Sequence, residues 1–114
     1  MVRRVNTLLN HYLVEEAMSV RITCVSKPSG WNANPHEAIS TLGWINEATK
    51  ATGRSSRLEM YDFLKNKKGS AYVRDNQGDV VYLYPRENAN GTKYVQTYAD
   101  GIWKDNLLAQ PNCI

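Results

Sequence analysis

Three short segments near the end of the chain alternate apolar and polar side chains, and this pattern constrains the fold more than any other feature. The segments are residues 70–74, 79–84 and 92–98. Successive side chains of a strand point to opposite faces, so the alternation predicts three β-strands. The connections 75–78 and 85–91 are short and rich in Gly and Asn, which is typical of turns. The sequence therefore predicts an antiparallel three-strand meander.

The two faces of this predicted meander differ in chemistry. One face carries small and branched side chains, and we expect the core to cover it. Its members are Ala71, Val73, Val81, Leu83, Val95 and Thr97. The other face collects phenols, a guanidinium and an amide, and we predict it to be the ligand-binding site. This aromatic face consists of Tyr72, Arg74, Tyr82, Tyr84, Tyr94, Gln96 and Tyr98.

Tyrosine is unusually frequent, with seven tyrosines against one phenylalanine. Exposed rings can stack a nucleobase for about 1–3 kcal/mol per base, and neighbouring cations can pair with phosphate. Arg57, Arg74, Arg86 and Lys93 are expected near the edges of the aromatic face. Two other interpretations stay open, because cross-strand tyrosine pairs stabilise sheets without any ligand and the same face suits a contact between subunits.

The tail of the chain begins at a turn signal, Asp100-Gly101, since Gly accepts positive φ and Asp can bond its own following backbone. The residues after it are too few to predict an independent element. Leu107 and Leu108 nevertheless need burial. We therefore expect the tail to fold back onto the body of the domain.

Two helices are expected. Ser56 to Glu59 form a capping box, and Leu58, Tyr61 and Leu64 then follow helical spacing up to a C-cap at Gly69. Residues 2–17 also have an amphipathic pattern, so we divide the chain into an added helix, 1–18, and a single domain, 19–114. The apolar stripe of the added helix either packs on its own domain or joins copies of the chain into a homo-oligomer. The residues that would make the assembly contact are Leu8, Leu9, Tyr12 and Leu13.

The first part of the domain is less regular. Val20 to Val25 alternate and predict a strand that ends before Pro28. Residues 34–48 fit both a helix, with Asn34 as N-cap, and an alternating strand, and local rules slightly favour the helix. Residues 49–54 are predicted to be a polar loop.

Charge and cysteine content narrow the function only a little. The net charge of +3 permits an anionic partner without requiring one. No segment is apolar enough for export or a membrane span, so we expect a cytoplasmic protein, in the host cytoplasm if it is phage-encoded. Two distant cysteines do not make a disulfide framework, and we expect both Cys24 and Cys113 to be reduced.

Catalytic and metal sites are not predicted. The histidines and cysteines lack paired ligand spacing, and the carboxylates include no convincing acid–base pair. Attack by Cys24 with His36 as base is the enzymatic alternative, but a cysteine in a strand is more often a buried hydrophobe. We therefore expect no catalytic residue, no metal and no cofactor.

A set of short motifs is spread over most of the chain: Ile22–Val25, Asn34–Glu37, Ile39, Gly43-Trp44, Glu59-Met60, Phe63-Leu64, Ala71–Val73, Lys93–Gly101, Asn106–Leu108, Pro111 and Cys113. Together these motifs resemble a family of small bacterial proteins known as domain of unknown function 3892. The resemblance covers roughly residues 20 to 114 and implies that the segment after His36 is a strand lying beside the first one. We follow that implication over the local preference for helix.

A looser resemblance concerns architecture. A small domain with an added N-terminal helix is similar to phage proteins that sequester the cyclic ADP-ribose signals of the Thoeris anti-phage system. This resemblance implies binding of a small anionic nucleotide without turnover, in a homo-oligomer. The expected fold is α+β, with a small antiparallel sheet of about five strands, one main packed helix and the added helix. The alternative function is a nucleic-acid-binding or protein-interaction module.

Overall fold

The strands expected from the alternating segments belong to a larger sheet. The computed structural model describes residues 18–27 and 34–114. A 3₁₀ turn, Pro35–Ala38, precedes the second strand, and the described part of the chain contains one α-helix, α1, Arg57–Lys65. The helix expected at 1–18 lies outside the described residues, apart from Met18. The strands are β1 Ser19–Ser26, β2 Thr41–Ile45, β3 Thr52–Ser56, β4 Ser70–Arg74, β5 Val80–Glu87, β6 Lys93–Ala99 and β7 Ile102–Lys104.

The seven strands of the described residues form one sheet in the order β3-β2-β1-β4-β5-β6-β7. Neighbouring strands are antiparallel except β1 and β4, which run parallel, with Arg21 opposite Tyr72. After β3 the chain crosses over through α1 and then forms β4 beside β1. The two strands β1 and β4 therefore run in the same direction. The expected α+β fold with a five-strand antiparallel sheet and two helices is therefore wrong: the sheet is mixed, larger, and accompanied by one short helix in the described residues.

The ambiguous segment contains a short helical turn followed by a strand. Asn34 caps the 3₁₀ turn through its side-chain oxygen, which accepts a hydrogen bond from the His36 N–H at 3.0 Å. The chain then forms β2, antiparallel to β1, and this confirms the strand implied by the family resemblance. The polar loop expected at residues 49–54 is wrong at its end, because β3 already begins at Thr52 and pairs with β2. Its polar side chains suit an edge strand.

The α1 helix covers the apolar side of the sheet. Its capping box is confirmed, since Ser56 Oγ accepts from the Glu59 N–H and Glu59 Oε1 accepts from the Ser56 N–H. The helix residues Met60 and Tyr61 are buried against the sheet, whereas Leu58 is 54% exposed. The buried face of the helix is therefore rotated by part of a turn from the expected face, which included Leu58. The helix ends at Lys65, four residues before the expected cap. The expected apolar face of the meander is confirmed, with Ala71, Val73, Val81, Leu83, Val95 and Thr97 buried.

The tail folds back as expected, and it is attached to β1. The Val25 N–H donates to Pro111 O at 2.9 Å, and the Cys113 N–H donates to Val25 O at 3.1 Å. Leu107 is fully buried in the core. Cys24 and Cys113 form a disulfide, so the expectation of two reduced thiols is wrong. The β1 strand is therefore bonded to tail residues that are distant in sequence, through the backbone of Val25 and through the Cys24 side chain.

Candidate ligand-binding face

The strand register places the predicted site residues on the side of the sheet opposite α1, which we call the open face. Tyr72 lies opposite Tyr82 on the neighbouring strand, and Tyr84 lies opposite Gln96. Residues that face each other across two strands share one side of a sheet. Val73 lies between Tyr72 and Arg74 on β4, and it is fully buried under α1. Since successive side chains of a strand point to opposite faces, the tyrosines project away from α1.

The residues of the aromatic face differ in accessibility. Tyr82 and Tyr84 are each 46% exposed and Tyr98 is 37% exposed. Arg74 is exposed and Tyr72 is half-buried. Tyr94 and Gln96 are only 4% and 8% exposed. A ligand can therefore reach the first five residues, whereas the last two serve as support beneath the surface.

Trp103 belongs to this face and was missed in the sequence. It lies on β7 opposite Tyr98, and their ring centroids are 4.7 Å apart. Asp100 and Gly101 have φ angles of 56° and 78°, as a two-residue hairpin turn requires. An Asp-Gly pair after an alternating strand is a hairpin signal, so the residues after it could have been recognised as a strand.

The exposed rings form an aromatic band across the sheet. The Tyr98 centroid lies 6.0 Å from that of Tyr84, and the Tyr82 centroid lies 5.9 Å from that of Tyr72. Tyr82 and Tyr84 are neighbours on one side of β5, about 7 Å apart along the strand. The band therefore has at least one ring on each of four adjacent strands, with its widest step between Tyr82 and Tyr84. Its members are Tyr72, Tyr82, Tyr84, Tyr98 and Trp103.

Arg86 is held against one end of this band. Its guanidinium carbon lies 4.1 Å from the Trp103 ring centroid and 5.6 Å from that of Tyr94. Arg86 Nη1 donates to Gln96 Oε1 at 2.9 Å, and Gln96 Nε2 donates to Lys104 O at 3.2 Å. The buried amide thus orients the guanidinium, which remains half-buried beside the indole.

A carboxylate organises the other end of the band. Glu47 accepts a hydrogen bond from the Tyr72 hydroxyl, and its oxygens lie 3.4 Å from Arg21 Nε and 3.5 Å from Arg74 Nη2. The Tyr72 hydrogen bond, followed by the two arginines, lowers the pKa of Glu47. Burial and the same hydrogen bond raise the pKa of Tyr72 to about 12. Glu47 lies in the loop after β2, and no pattern in the sequence pointed to it.

Two of the cations expected beside the site lie on the other side of the sheet. Arg57 Nε donates to Lys93 O at 2.9 Å, and Arg57 also donates to Glu37 O. Lys93 Nζ lies 5.6 Å from the centroid of the Tyr61 ring. Tyr61 belongs to α1 and is buried on the helix side of the sheet. Arg57 and Lys93 therefore tie the helix to the sheet and are not available to a ligand on the open face.

The strands of the open face are positively charged. Arg54 lies opposite Gly43, next to Cys24, and so joins Arg21, Arg74 and Arg86 on this side. None of the strand residues that the register places on the open face is acidic, and Glu47 flanks them from its loop. Four guanidiniums, with Glu47 beside two of them and Arg54 bonded to Ile114 O at 2.6 Å, give this surface an electrostatic preference for anions.

The alternative catalytic arrangement is not assembled. Cys24 has no free thiol because it is joined to Cys113. His36 is 3% exposed, and its Nε2 lies 3.9 Å from Asp105 Oδ1 without a hydrogen-bond partner among the described residues. Within residues 18–27 and 34–114, no three His, Cys, Asp or Glu side chains are grouped as metal ligands. No helix in that part of the chain is long and apolar enough to cross a bilayer.

Comparison with known proteins identifies a family. The family model described as "Protein of unknown function (DUF3892)" matches residues 21–111, which include every strand of the sheet in part or in full. No curated protein and no solved structure matches the chain significantly. The match covers far more than half of the sequence and contains the whole aromatic band. The chain therefore belongs to the DUF3892 family.

Proposed function

We propose that this protein binds a nucleotide-type ligand on its open face without turning it over. The observation that carries the proposal is the band of exposed rings with a guanidinium at each end. The ligand class in view is a small anionic nucleotide, such as a cyclic ADP-ribose or a cyclic oligonucleotide signal. In that case the protein would act by sequestration, as a phage anti-defence sponge does.

Stacking supplies the affinity in this proposal. The five rings of the band are all partly exposed, and stacking a base on such a ring is worth about 1–3 kcal/mol. Tyr84 and Tyr98 lie at the centre of the band, where a base could contact both rings. Every nucleobase has a π-face, so this contact selects for aromatic ligands without reading their sequence.

The arginines of the open face supply the second part of the proposed recognition, which is contact with the phosphate groups of the ligand. Arg74 is exposed and shares its guanidinium between Gly78 O and Glu47, which leaves donors available to a phosphate. Arg86 presents a guanidinium next to the Trp103 ring. Hydrogen bonds from guanidinium to phosphate are short and charge-assisted, and they are roughly twice as strong as neutral ones.

Titration calorimetry against a panel of cyclic and linear nucleotides tests the proposal. We expect heat of binding with at least one member, and a loss of about 1–3 kcal/mol of affinity in Tyr84→Ala. Arg74→Ala should weaken binding further and reduce its salt dependence. Leu58→Ala is the matched control, because Leu58 is as exposed as Tyr84 but lies on α1. Silence across the panel, with the tyrosines buried between subunits, would reject the proposal in favour of an assembly role.

A further inference from the structure

We infer that the occupant of the open face is a linear single-stranded nucleic acid that lies across the strands and stacks several bases on the aromatic band. This inference rests on the proposed nucleotide binding at the open face, and it assigns that face to a nucleotide polymer in place of a single small nucleotide. Three observations carry it: the length of the band, its shape, and the position of the arginines around it.

The aromatic band is longer than one nucleobase. It runs from Trp103 on β7 through β6 and β5 to Tyr72 on β4. Neighbouring strands are spaced by about 4.8 Å, so the band extends roughly 14 Å across the sheet. Three of the four steps between its ring centroids are 4.7, 6.0 and 5.9 Å, and the fourth, from Tyr82 to Tyr84, is about 7 Å along β5. A single base covers one or two of these rings and leaves the others in water.

The band is a surface, whereas sites for small ligands are concave. A pocket that binds a small molecule usually buries most of that molecule's surface. Four of the five rings in the band are 37–46% exposed, and the fifth, Tyr72, is half-buried. A cavity of about 280 Å³ is lined by Trp44, Met60 and Phe63 on the α1 side, and a more open depression of about 420 Å³ reaches only Tyr82 and Tyr84 of the band. An extended strand gains its contact area by length and needs no cavity.

The arginines fit a polyanion that continues past both ends of the band. Arg21 lies opposite Tyr72 on the neighbouring strand, and Arg74 follows on the same side of β4. Arg86 lies at the other end, over the Trp103 ring. A chain whose bases lie on the rings can therefore meet a guanidinium at both ends. Single-stranded nucleic acid combines these two requirements, because its bases stack and its backbone is anionic at every step.

A length series separates a polymer from a single nucleotide. Calorimetry would use thymidine and uridine oligomers of one to eight nucleotides with the full-length protein. Each base that reaches a free ring should raise the affinity by about five- to 150-fold, the equivalent of 1–3 kcal/mol, until the band is covered. Beyond that length the affinity per molecule should level off.

Salt dependence and variants give the second readout. For a single strand the logarithm of affinity falls by about 0.7 per logarithm of salt for each phosphate contacted, so Arg74→Ala should flatten the slope by about that amount. Trp103→Ala and Tyr82→Ala should each shorten the oligomer length at which affinity levels off. Leu58→Ala and Lys65→Ala, both exposed on α1, are the controls and should change neither quantity. Trp103→Phe retains a ring and tests the same point if Trp103→Ala does not fold.

The outcomes separate this inference from the proposed function. Equal affinity for mononucleotides and oligomers would overturn the polymer but leave nucleotide binding in place. Binding of a cyclic nucleotide alone would do the same. Absence of binding to every nucleotide and oligomer by a folded protein would overturn both. The remaining outcome is an affinity that rises with oligomer length equally in the ring variants and in the controls. That result would place the nucleic acid elsewhere on the protein surface and overturn the inference.

Discussion

Cys24 and Cys113 are joined by a disulfide across a sequence separation of 89 residues. The bond connects β1 to the tail on the open face, beside Gly43 of β2. A side chain at Gly43 would not fit, because an added Cβ would lie 2.4 Å from Cys24 Sγ. The disulfide, the missing side chain and the backbone hydrogen bonds of Val25 therefore form one attachment point for the tail.

Removing this disulfide should destabilise the domain strongly. Closing a loop of this length restricts the unfolded chain, and the chain-entropy account gives about 4–5 kcal/mol. We expect Cys24→Ala with Cys113→Ala to lower the free energy of unfolding in urea by an amount of that order. A reductant should have the same effect on the unmodified protein and none on the double variant. Equal stability of the oxidised and reduced protein would contradict this prediction and would show that the tail holds without the bond.

Arg86 should contribute to stability through its stacked geometry as well as through its charge. Replacement by Ala removes a cation–π contact, worth about 0.5–1 kcal/mol, and a charge-assisted hydrogen bond to Gln96. We expect a loss of about 2–4 kcal/mol in urea unfolding, the sum of these two contributions. Arg86→Lys keeps the charge but lacks the planar fork that meets both partners, so it should recover less than half of the loss. Full recovery by Lys would show that charge alone matters.

His36 should make stability depend on pH below neutrality. Burial lowers the pKa of His36 from its ordinary 6.5, Asp105 opposes this, and Arg86 and Lys27 add to it. The unfolded chain therefore binds the proton more tightly than the folded one. The contribution of His36 is complete above pH 6.5 and is lost as the pH falls from there towards its folded pKa.

Urea unfolding at a series of pH values checks this sign. We expect a constant free energy of unfolding near pH 7–8 and a decline below pH 6.5. His36→Gln should remove most of the decline between pH 6.5 and 5. The lowered pKa of Glu47 adds a separate loss only at more acidic pH, below its ordinary 4.5. An unchanged slope in His36→Gln would assign the decline to other groups.

The N-terminal segment is proposed to drive assembly. Its pattern places Leu8, Leu9, Tyr12 and Leu13 on one apolar stripe, outside the span that matches the family. Leu8→Glu with Leu13→Glu should reduce the particle to a monomer or dimer while the sheet stays folded. Light scattering reports the mass and circular dichroism reports the sheet. Unchanged mass, or loss of the fold, would mean that the segment packs on its own domain.

The sequence by itself determined the meander and its two faces. Alternation over β4, β5 and β6 separates the branched side chains from the phenols, and short turns bring consecutive strands together. These are local relationships, because a pleat reverses the side at every residue and a tight turn sets the register of its two strands. The capping box of α1 could be predicted from the sequence for the same reason, since it involves only residues 56–59.

The accessible part of the site depended on contacts between distant segments. Tyr94 and Gln96 alternate like the exposed tyrosines, but packing around them buries both. Glu47 reaches Tyr72 from a loop 25 residues away, and nothing in its own neighbourhood indicates that pairing. Arg57 was expected beside the ligand, but it bonds the backbone on the helix side. Sequence spacing cannot distinguish such partners.

Only the tertiary structure decided where the cysteines lie. Simple alternation from Val20 and Ile22 would place Cys24 in the core, but a register shift between Ile22 and Cys24 moves it to the open face. One irregular residue reverses the side of everything that follows it in a strand. Val25 then enters the core and Cys24 meets Cys113. Side-chain period is a local property that the sequence records, whereas a bulge and a disulfide partner depend on how separate strands pair.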